Sequence, residues 1–351
     1  MENKTLNIDM MKLILAPCFC VKNGIIIARN KAAQDLLIPQ DTAVESLLDT
    51  GKEEYACFTG GSLYLTINHG GVLFGAPVER MDGIDYFLLE SPGDEDVLCA
   101  LALAARELRA PLCAIMALME LMDQEMFQSS KGKLLAGRMS HSLFQMQRIV
   151  SNMSTSSSVS HPEMVDIDAA LREIMESAAY RLEATGVQLR YQGLDEPLYT
   201  LADSQELERA ILNLLANAVK FSPQGSPISA SLTRQGKMLR LCIQDGGSGI
   251  PDGIRGSVFR RYLRQPTIED SRHGIGLGLV IVRSAACNHG GTVLIDHPAQ
   301  GGTRVSMTLA IRQDDTGMLQ SPRLRIDYAG EQDHTLIELA EVLGPEAYTK
   351  E

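Results

Sequence analysis

The chain has 351 residues, 45% of them hydrophobic and 22% charged, with a formal net charge of −12. That length and apolar share exclude a disordered chain and a single small core, and predict two or three globular domains. The acidic balance speaks against nucleic acid, whose phosphates such a surface repels, but leaves room for a phosphate ligand held by backbone N–H groups and one or two lysines. Seven cysteines form no C-x-x-C pair and read as reduced, buried thiols. The N-terminus lacks the basic-then-apolar plan of a signal peptide. The apolar run at residues 97–105 in the helical region is far short of the ~20 residues that span a bilayer. A cytoplasmic protein with no membrane span is expected.

Residues 1–93 read as a small α/β unit. Cys18–Val21 and Ile25–Ala28 flank an Asn23-Gly24 pair, the strongest short hairpin signal. A short helix follows from Asn30, then apolar runs at 62–67 and 72–78 around Asn68-His-Gly-Gly, and a turn at Met81-Asp-Gly before 84–89. His69 in that loop is a candidate sensor ligand, although a lone loop histidine is usually solvated. The order of hairpin, short helices and closing meander, with the Asn-Gly and Asn-x-Ala-Ala phrases, resembles a PAS domain.

From residue 94 to 160 the pattern becomes helical. Leu101, Ala105, Leu108, Leu112, Ile115, Met119, Met122 and Met126 alternate in steps of four and three, a heptad seam. A second seam runs through Leu135, Met139, Ser142, Met146, Ile149 and Met153 after a turn near Ser130. Two antiparallel helices cannot bury such seams alone, so a homodimeric four-helix bundle is predicted. Residues 154–160 are a serine-rich joint. Residues 161–313 alternate helix and strand, which predicts an α/β sandwich, and the whole chain is multidomain α+β. The extension 314–351 holds a strand-like stretch at 323–328 and a helix-like one at 335–343, with no role readable from the residues.

Three short phrases in 161–313 carry the chemistry. Asn213 and Asn217 lie one turn apart on one helix face, with Lys220 three residues on. A carboxamide oxygen is a hard donor suited to Mg²⁺, and the lysine suits a phosphate. Asp245 ends an apolar strand and precedes Gly246, Gly247 and Gly249. Such a carboxylate can accept from an exocyclic amine, and the glycines let backbone approach a flat ring. Gly274, Gly276 and Gly278, with Leu277, lead into an apolar helix whose first N–H groups suit anionic phosphates. Each phrase alone is also a common structural device. Their order, spacing and flanking strands together predict an ATP site.

These boxes resemble the GHKL ATPase fold shared by histidine kinases, gyrase B and MutL, and the histidine-kinase branch above all. Residues 207–223 look like its Asn-box helix, 258–264 with Phe259 like its phenylalanine box, and 274–293 like its second glycine box and following strand. By this resemblance Asn217 would bind Mg²⁺, Lys220 a phosphate and Asp245 the adenine amine, under a lid from Phe259 to Gly278. Asn213 stands where relatives that hydrolyse ATP with water place a glutamate base. An amide cannot take that proton, so the site looks built to hold ATP for transfer, or merely to hold it.

The hairpin resembles the dimerisation and phosphoacceptor domain of these kinases. Arg106-Glu-Leu-Arg-Ala-Pro-Leu112 aligns with the family's His-Glu-Leu-Arg-Thr-Pro-Leu phrase. Arg106 replaces the nucleophilic histidine, and a guanidinium stays protonated and cannot attack a γ-phosphate. Glu107 keeps the assisting-base position. Ala110 replaces the residue that would position water for dephosphorylation. His141 lies at the wrong height on the second helix to substitute as acceptor. The resemblance therefore implies a histidine-kinase homologue in two-component signalling that binds Mg-ATP but lacks its own acceptor. It would act as a pseudokinase regulator that binds ATP and a partner kinase or response regulator, or would phosphorylate a histidine elsewhere, on itself or on a heterodimer partner. A chaperone or repair module of the same fold, and a structural dimer with a vestigial pocket, are the competing expectations.

Overall fold

The computed structural model describes residues 14, 16–90, 112, 116, 130–154, 161–250, 278–299, 301–312 and 333–349. In the N-terminal unit, β1 (Cys18–Lys22) and β2 (Ile25–Arg29) turn at Asn23-Gly24, where both residues take left-handed backbone. Next come α1 (Lys31–Asp35), β3 (Leu48–Thr50) and α2 (Lys52–Ala56). The unit closes on β4 (Ser62–His69), β5 (Val72–Met81) and β6 (Ile84–Leu88). Asn30 starts α1 by accepting from the Ala33 N–H, the capping use of an asparagine side chain. His69 Nε2 lies 2.9 Å from the Leu36 carbonyl, to which it donates.

The alternation of helix and strand expected in 161–313 is present, with two short strands, Glu163–Asp166 and Tyr199–Ala202, beyond those the pattern suggested. After α3 (Ser130–Ser154) come β7 (Glu163–Asp166), α4 (Ile167–Leu182), β8 (Gln188–Gln192), β9 (Tyr199–Ala202) and α5 (Ser204–Phe221). They continue in β10 (Pro227–Gln235), β11 (Met238–Gln244), α6 (Gly278–Asn288), β12 (Val293–Asp296) and β13 (Arg304–Ala310). Strands β7 and β9 pair separately, while α4, α5 and α6 pack their apolar faces into one large core.

The sequence gives no hint that the two sheets join. They do, in the order β2-β1-β6-β5-β4-β12-β13-β11-β10-β8, with β3 also on β4. The seam is antiparallel, with Tyr64 opposite Val293 and Ser62 opposite Ile295. Side chains reinforce it. Thr292 Oγ1 donates to the Tyr64 carbonyl, and Thr308 Oγ1 donates to Glu54 at 2.9 Å. Arg283 of α6 lies 4.3 Å over the Tyr64 ring and binds Glu90 at 2.8 Å, and the Tyr64 hydroxyl donates to the same carboxylate.

On α3, most of the second seam faces out of the single chain. Met139, Ser142, Met146 and Ile149 are exposed, Met146 by 49%. Ala136, Leu143, Val150 and Phe144 are buried, and Leu143 and Val150 pack on the helical residues Leu112 and Met116. The helix carries two apolar faces, and within one chain the inner one is taken by its neighbours. The side chains of Leu135 and Met153 lie outside the described residues, as does residue range 323–328.

Residues 333–349 form α7 (His334–Glu338), a turn, and a 3₁₀ helix at Pro345–Tyr348. Asp333 caps α7, and Ile337, Leu339, Ala340, Leu343 and Tyr348 join the main core between α3, α4 and α5. His141 Nε2 donates to the Ala340 carbonyl at 2.9 Å and its ring lies 5.0 Å from that of Tyr348.

Candidate functional site

Helix α5 is fixed at its start by Asp203, whose carboxylate accepts from the N–H groups of Gln205 and Glu206 and from that of His161. The Asp203 N–H donates to Nε2 of buried His289 at 2.9 Å, while His289 Nδ1 donates to the Ala285 carbonyl at 2.7 Å. Both ring nitrogens are thus committed to a neutral tautomer, tying the end of α6 to the start of α5. Burial pushes the His289 pKa below its ordinary 6.5, with the Ala285 carbonyl and Asp203 opposing and Arg312 assisting. Below pH 6.5 the unfolded chain takes up a proton that the folded ring resists, so stability falls as pH drops through 6.5 towards the depressed folded value. Urea unfolding at about pH 7.5 and about 5.5 is expected to show this loss in the parent and a smaller one in His289→Gln.

The same helix presents Asn213, Asn217 and Lys220. Asn213 is fully buried and Asn217 half-buried. Gly278, first residue of α6, lies against both: a Cβ there would stand 3.2 Å from Asn213 Oδ1 and 3.5 Å from Asn217 Nδ2. Asp245 follows β11, and its Oδ1 accepts from the Gly247 N–H at 2.8 Å and the Thr303 N–H at 3.0 Å. Burial pushes the Asp245 carboxyl up, against those backbone donors. A Cβ on Gly247 would strike the Phe221 carbonyl at the end of α5, so glycine lets this loop close on that helix. Gly249 takes left-handed backbone beside His297 and Gly302. The two Asn-box amides, Lys220, Gly278 and the Asp245 loop are therefore gathered along one helix. Arg106, Glu107, Phe259, Gly274, Gly276 and Leu277 lie outside the described residues.

Four further residues reach this place that sequence reasoning missed: Arg148 of α3, Arg209 of α5, and Glu338 and Glu341 of the C-terminal segment. Asn213 Oδ1 accepts from Arg148 Nη2 at 3.1 Å, and its Nδ2 donates to the Arg209 carbonyl and, at 3.0 Å, to Glu338. Glu338, with no exposed surface, also accepts from Arg209 Nε at 3.2 Å. Arg209 Nη2 donates to the Ser151 carbonyl on α3. Glu341 spans two cations, Arg148 at 2.8 Å and Lys220 at 3.4 Å. A signal existed for Arg209, a charge inside the apolar run of α5. None existed for the glutamates: Glu338 ends the short helix α7 and Glu341 lies in the turn after it, neither within a motif.

A cleft of about 330 Å³ lies elsewhere, at the start of α4, lined by Asp166, Asp168, Arg172 and Glu196 among others. Its central carboxylate, Asp168, is spent on the Tyr191 hydroxyl, the Leu194 N–H and Arg172, so the cleft is a braced surface rather than the site. Among the described residues no cluster of His, Cys, Asp and Glu is arranged to hold a metal, and no helix is long and apolar enough to cross a membrane.

Residues 202–313 match the family of histidine kinase-, DNA gyrase B- and HSP90-like ATPases. The histidine kinase DivJ of Caulobacter vibrioides is 30% identical over 255 residues, 69% of this chain and 42% of its own length. Residues 202–313 belong to that ATPase family, and over most of its length the chain is similar to histidine kinases. The histidine kinase/phosphatase MprB of Mycolicibacterium vanbaalenii, another relative in the family, is 35% identical over 134 residues, covering 38% of this chain and 28% of MprB. Full-length ShkA in complex with AMPPNP shares the fold, with a TM-score of 0.51 and 21% identity over 61% of this chain and 46% of ShkA. The chain spans less than half the length of the curated relatives it matches.

Proposed function

We propose that this histidine kinase homologue binds Mg-ATP and acts in two-component signalling as a dimeric regulator that lacks its own phosphate acceptor. The observation that carries the reading is the meeting of Asn213, Asn217 and Gly278, with the Asp245 loop closing on the same helix. These residues fit the ligand's chemistry. Asn217 offers a half-buried amide oxygen for Mg²⁺, Lys220 a cation for phosphate, and Asp245 an acceptor for the adenine amine. Bound Mg²⁺ would supply charge neutralisation to the phosphates. Asn213 offers no carboxylate to take a proton from water, which favours holding ATP over hydrolysing it.

The sequence of the acceptor position supports the rest: Arg106 in place of histidine and Ala110 in place of a water-positioning residue. The outward stripe of Met139, Met146 and Ile149 supports a homodimer, because a second hairpin would cover it. The N-terminal strand order β2-β1-β6-β5-β4 supports a PAS-like sensor, with a response regulator or partner kinase as the downstream protein. Purified parent and Arg106→His are incubated with Mg²⁺ and γ-labelled ATP. Acid-labile label on Arg106→His alone is expected. Label on the parent would show another acceptor and overturn the regulator reading.

A further inference from the structure

We infer that Arg148 of the hairpin helix and Lys220 of the Asn-box helix form one phosphate cradle, and that the Glu341 carboxylate of the C-terminal segment occupies it as an internal competitor of the nucleotide's phosphate chain. The inference rests on the nucleotide reading above and extends it in two ways. It adds a binding residue from a different domain, and it names what fills the site in the structure.

The geometry is specific. A single carboxylate bridges two cations from separate elements, with Oε1 on Arg148 at 2.8 Å and Oε2 on Lys220 at 3.4 Å. Arg148 and Lys220 are nearly buried, with 6% and 10% of their side chains exposed, so neither is a loose surface charge. Arg148 also donates to Asn213 Oδ1, which places the guanidinium directly at the Asn box. Two converging cations beside an amide suit a phosphate group better than a carboxylate, since phosphate carries more charge and more acceptor oxygens. Glu341 reaches them because the segment is seated beside it: Glu338 is locked to Arg209 and Asn213, Arg181 binds Asp333 at 2.6 Å, and Ile337 and Leu339 are in the core.

Competition follows from this seating. A phosphate on Lys220 must displace the Glu341 oxygen, and the apparent affinity is lowered by the fraction of chains in which the carboxylate is in place. Displacement also removes one of the ionic links between α3 and α5, leaving the direct Arg148–Asn213 and Arg209–Ser151 bonds. The nucleotide state is thereby reported to the hairpin.

The test measures binding of ATP, ADP and AMP by calorimetry to the full chain as parent, Glu341→Gln and Arg148→Gln. Glu341→Gln keeps shape and removes charge, and is expected to tighten ATP by about tenfold or more while changing AMP less than about twofold. Arg148→Gln is expected to narrow the preference for ATP over AMP. Should Glu341→Gln bind ATP as the parent does, or tighten AMP equally, the cradle is overturned while the nucleotide reading stands. Should no variant bind any of the three, the nucleotide reading falls and the cradle with it. Circular dichroism melting of each variant accompanies the titrations and separates loss of fold from loss of charge; a folded variant with unchanged ATP affinity counts against the cradle.

Discussion

Asp245→Asn is expected to remove measurable ATP binding while leaving the chain as stable as before. The amide oxygen of asparagine can accept from the Gly247 and Thr303 N–H groups as Asp245 Oδ1 does, so the loop after β11 keeps its shape. What changes is the other side-chain atom: an NH₂ donor would face the adenine amine, which is also a donor. Losing a hydrogen bond to a charged group, and replacing it with a donor clash, is worth about 3 kcal/mol, or ~100-fold in affinity. The linkage sign supports retained stability. Burial raises the Asp245 carboxyl above its ordinary 3.8, so the folded chain binds that proton more readily than the unfolded one. Its contribution is therefore lost as pH rises through the raised value, and at neutral pH the charged form is a cost that asparagine removes. Calorimetric titration with Mg-ATP, paired with urea unfolding at about pH 4 and about pH 7, checks both halves. Parent-like ATP binding by the variant would refute the site, and a lower unfolding midpoint at neutral pH would refute the account of the loop.

Tyr64→Ala is expected to cost about 3–5 kcal/mol, the range for deleting a buried aromatic side chain, and to act on the seam between the two sheets. Tyr64 is in the main core although it belongs to the N-terminal unit, and it carries the ring under Arg283 and the hydroxyl donated to Glu90. Without it, Arg283 loses the ring beneath it and Glu90 loses the hydroxyl donor, while their own ion pair at 2.8 Å is untouched. Calorimetry is expected to show one unfolding transition in the parent and two in the variant, with the N-terminal sheet melting apart from the ATPase sheet. Tyr64→Phe, which keeps the ring, is expected to lose about 1 kcal/mol and to melt as one unit. A single unshifted transition in Tyr64→Ala would mean that the β4–β12 pairing does not join the two sheets energetically.

What was legible in the sequence was local. Asn23-Gly24 and Asp82-Gly83 both take left-handed backbone, as turns between apolar runs require. The amphipathic stretch of α5 appeared within a residue of its expected start, because Asp203 supplies the cap and the apolar period supplies the buried face. Asn213, Asn217 and Gly278 could be linked by family order before any coordinate placed them together. What was not legible depends on partners distant along the chain. Nothing in Ser62–His69 marks it as the strand that will lie against β12, because an edge strand and a joined one share the same alternation. Met139 and Arg148 occupy one helix, yet one faces out and the other reaches the Asn box. Heptad positions alone assign a side chain to a face, not to an occupant of that face. Glu338 and Glu341, in a stretch whose role the residues do not announce, are held by arginines from two other elements.

The seam between β4 and β12 also bears on how the chain reaches its native state. The Thr292 hydroxyl and the Tyr64 carbonyl that meet there are separated by 228 positions. Contacts of such long range form after local ones, because the entropy of closing the intervening loop has to be met first. The N-terminal meander and the β10–β11 and β12–β13 hairpins can each assemble from near neighbours, which leaves β4 and β12 as two open edges waiting for one another. An open edge accepts any strand of suitable alternation, so during that interval the β4 of a second molecule competes with the chain's own. Concentration thus decides whether the sheet is completed within one molecule or by exchange between two.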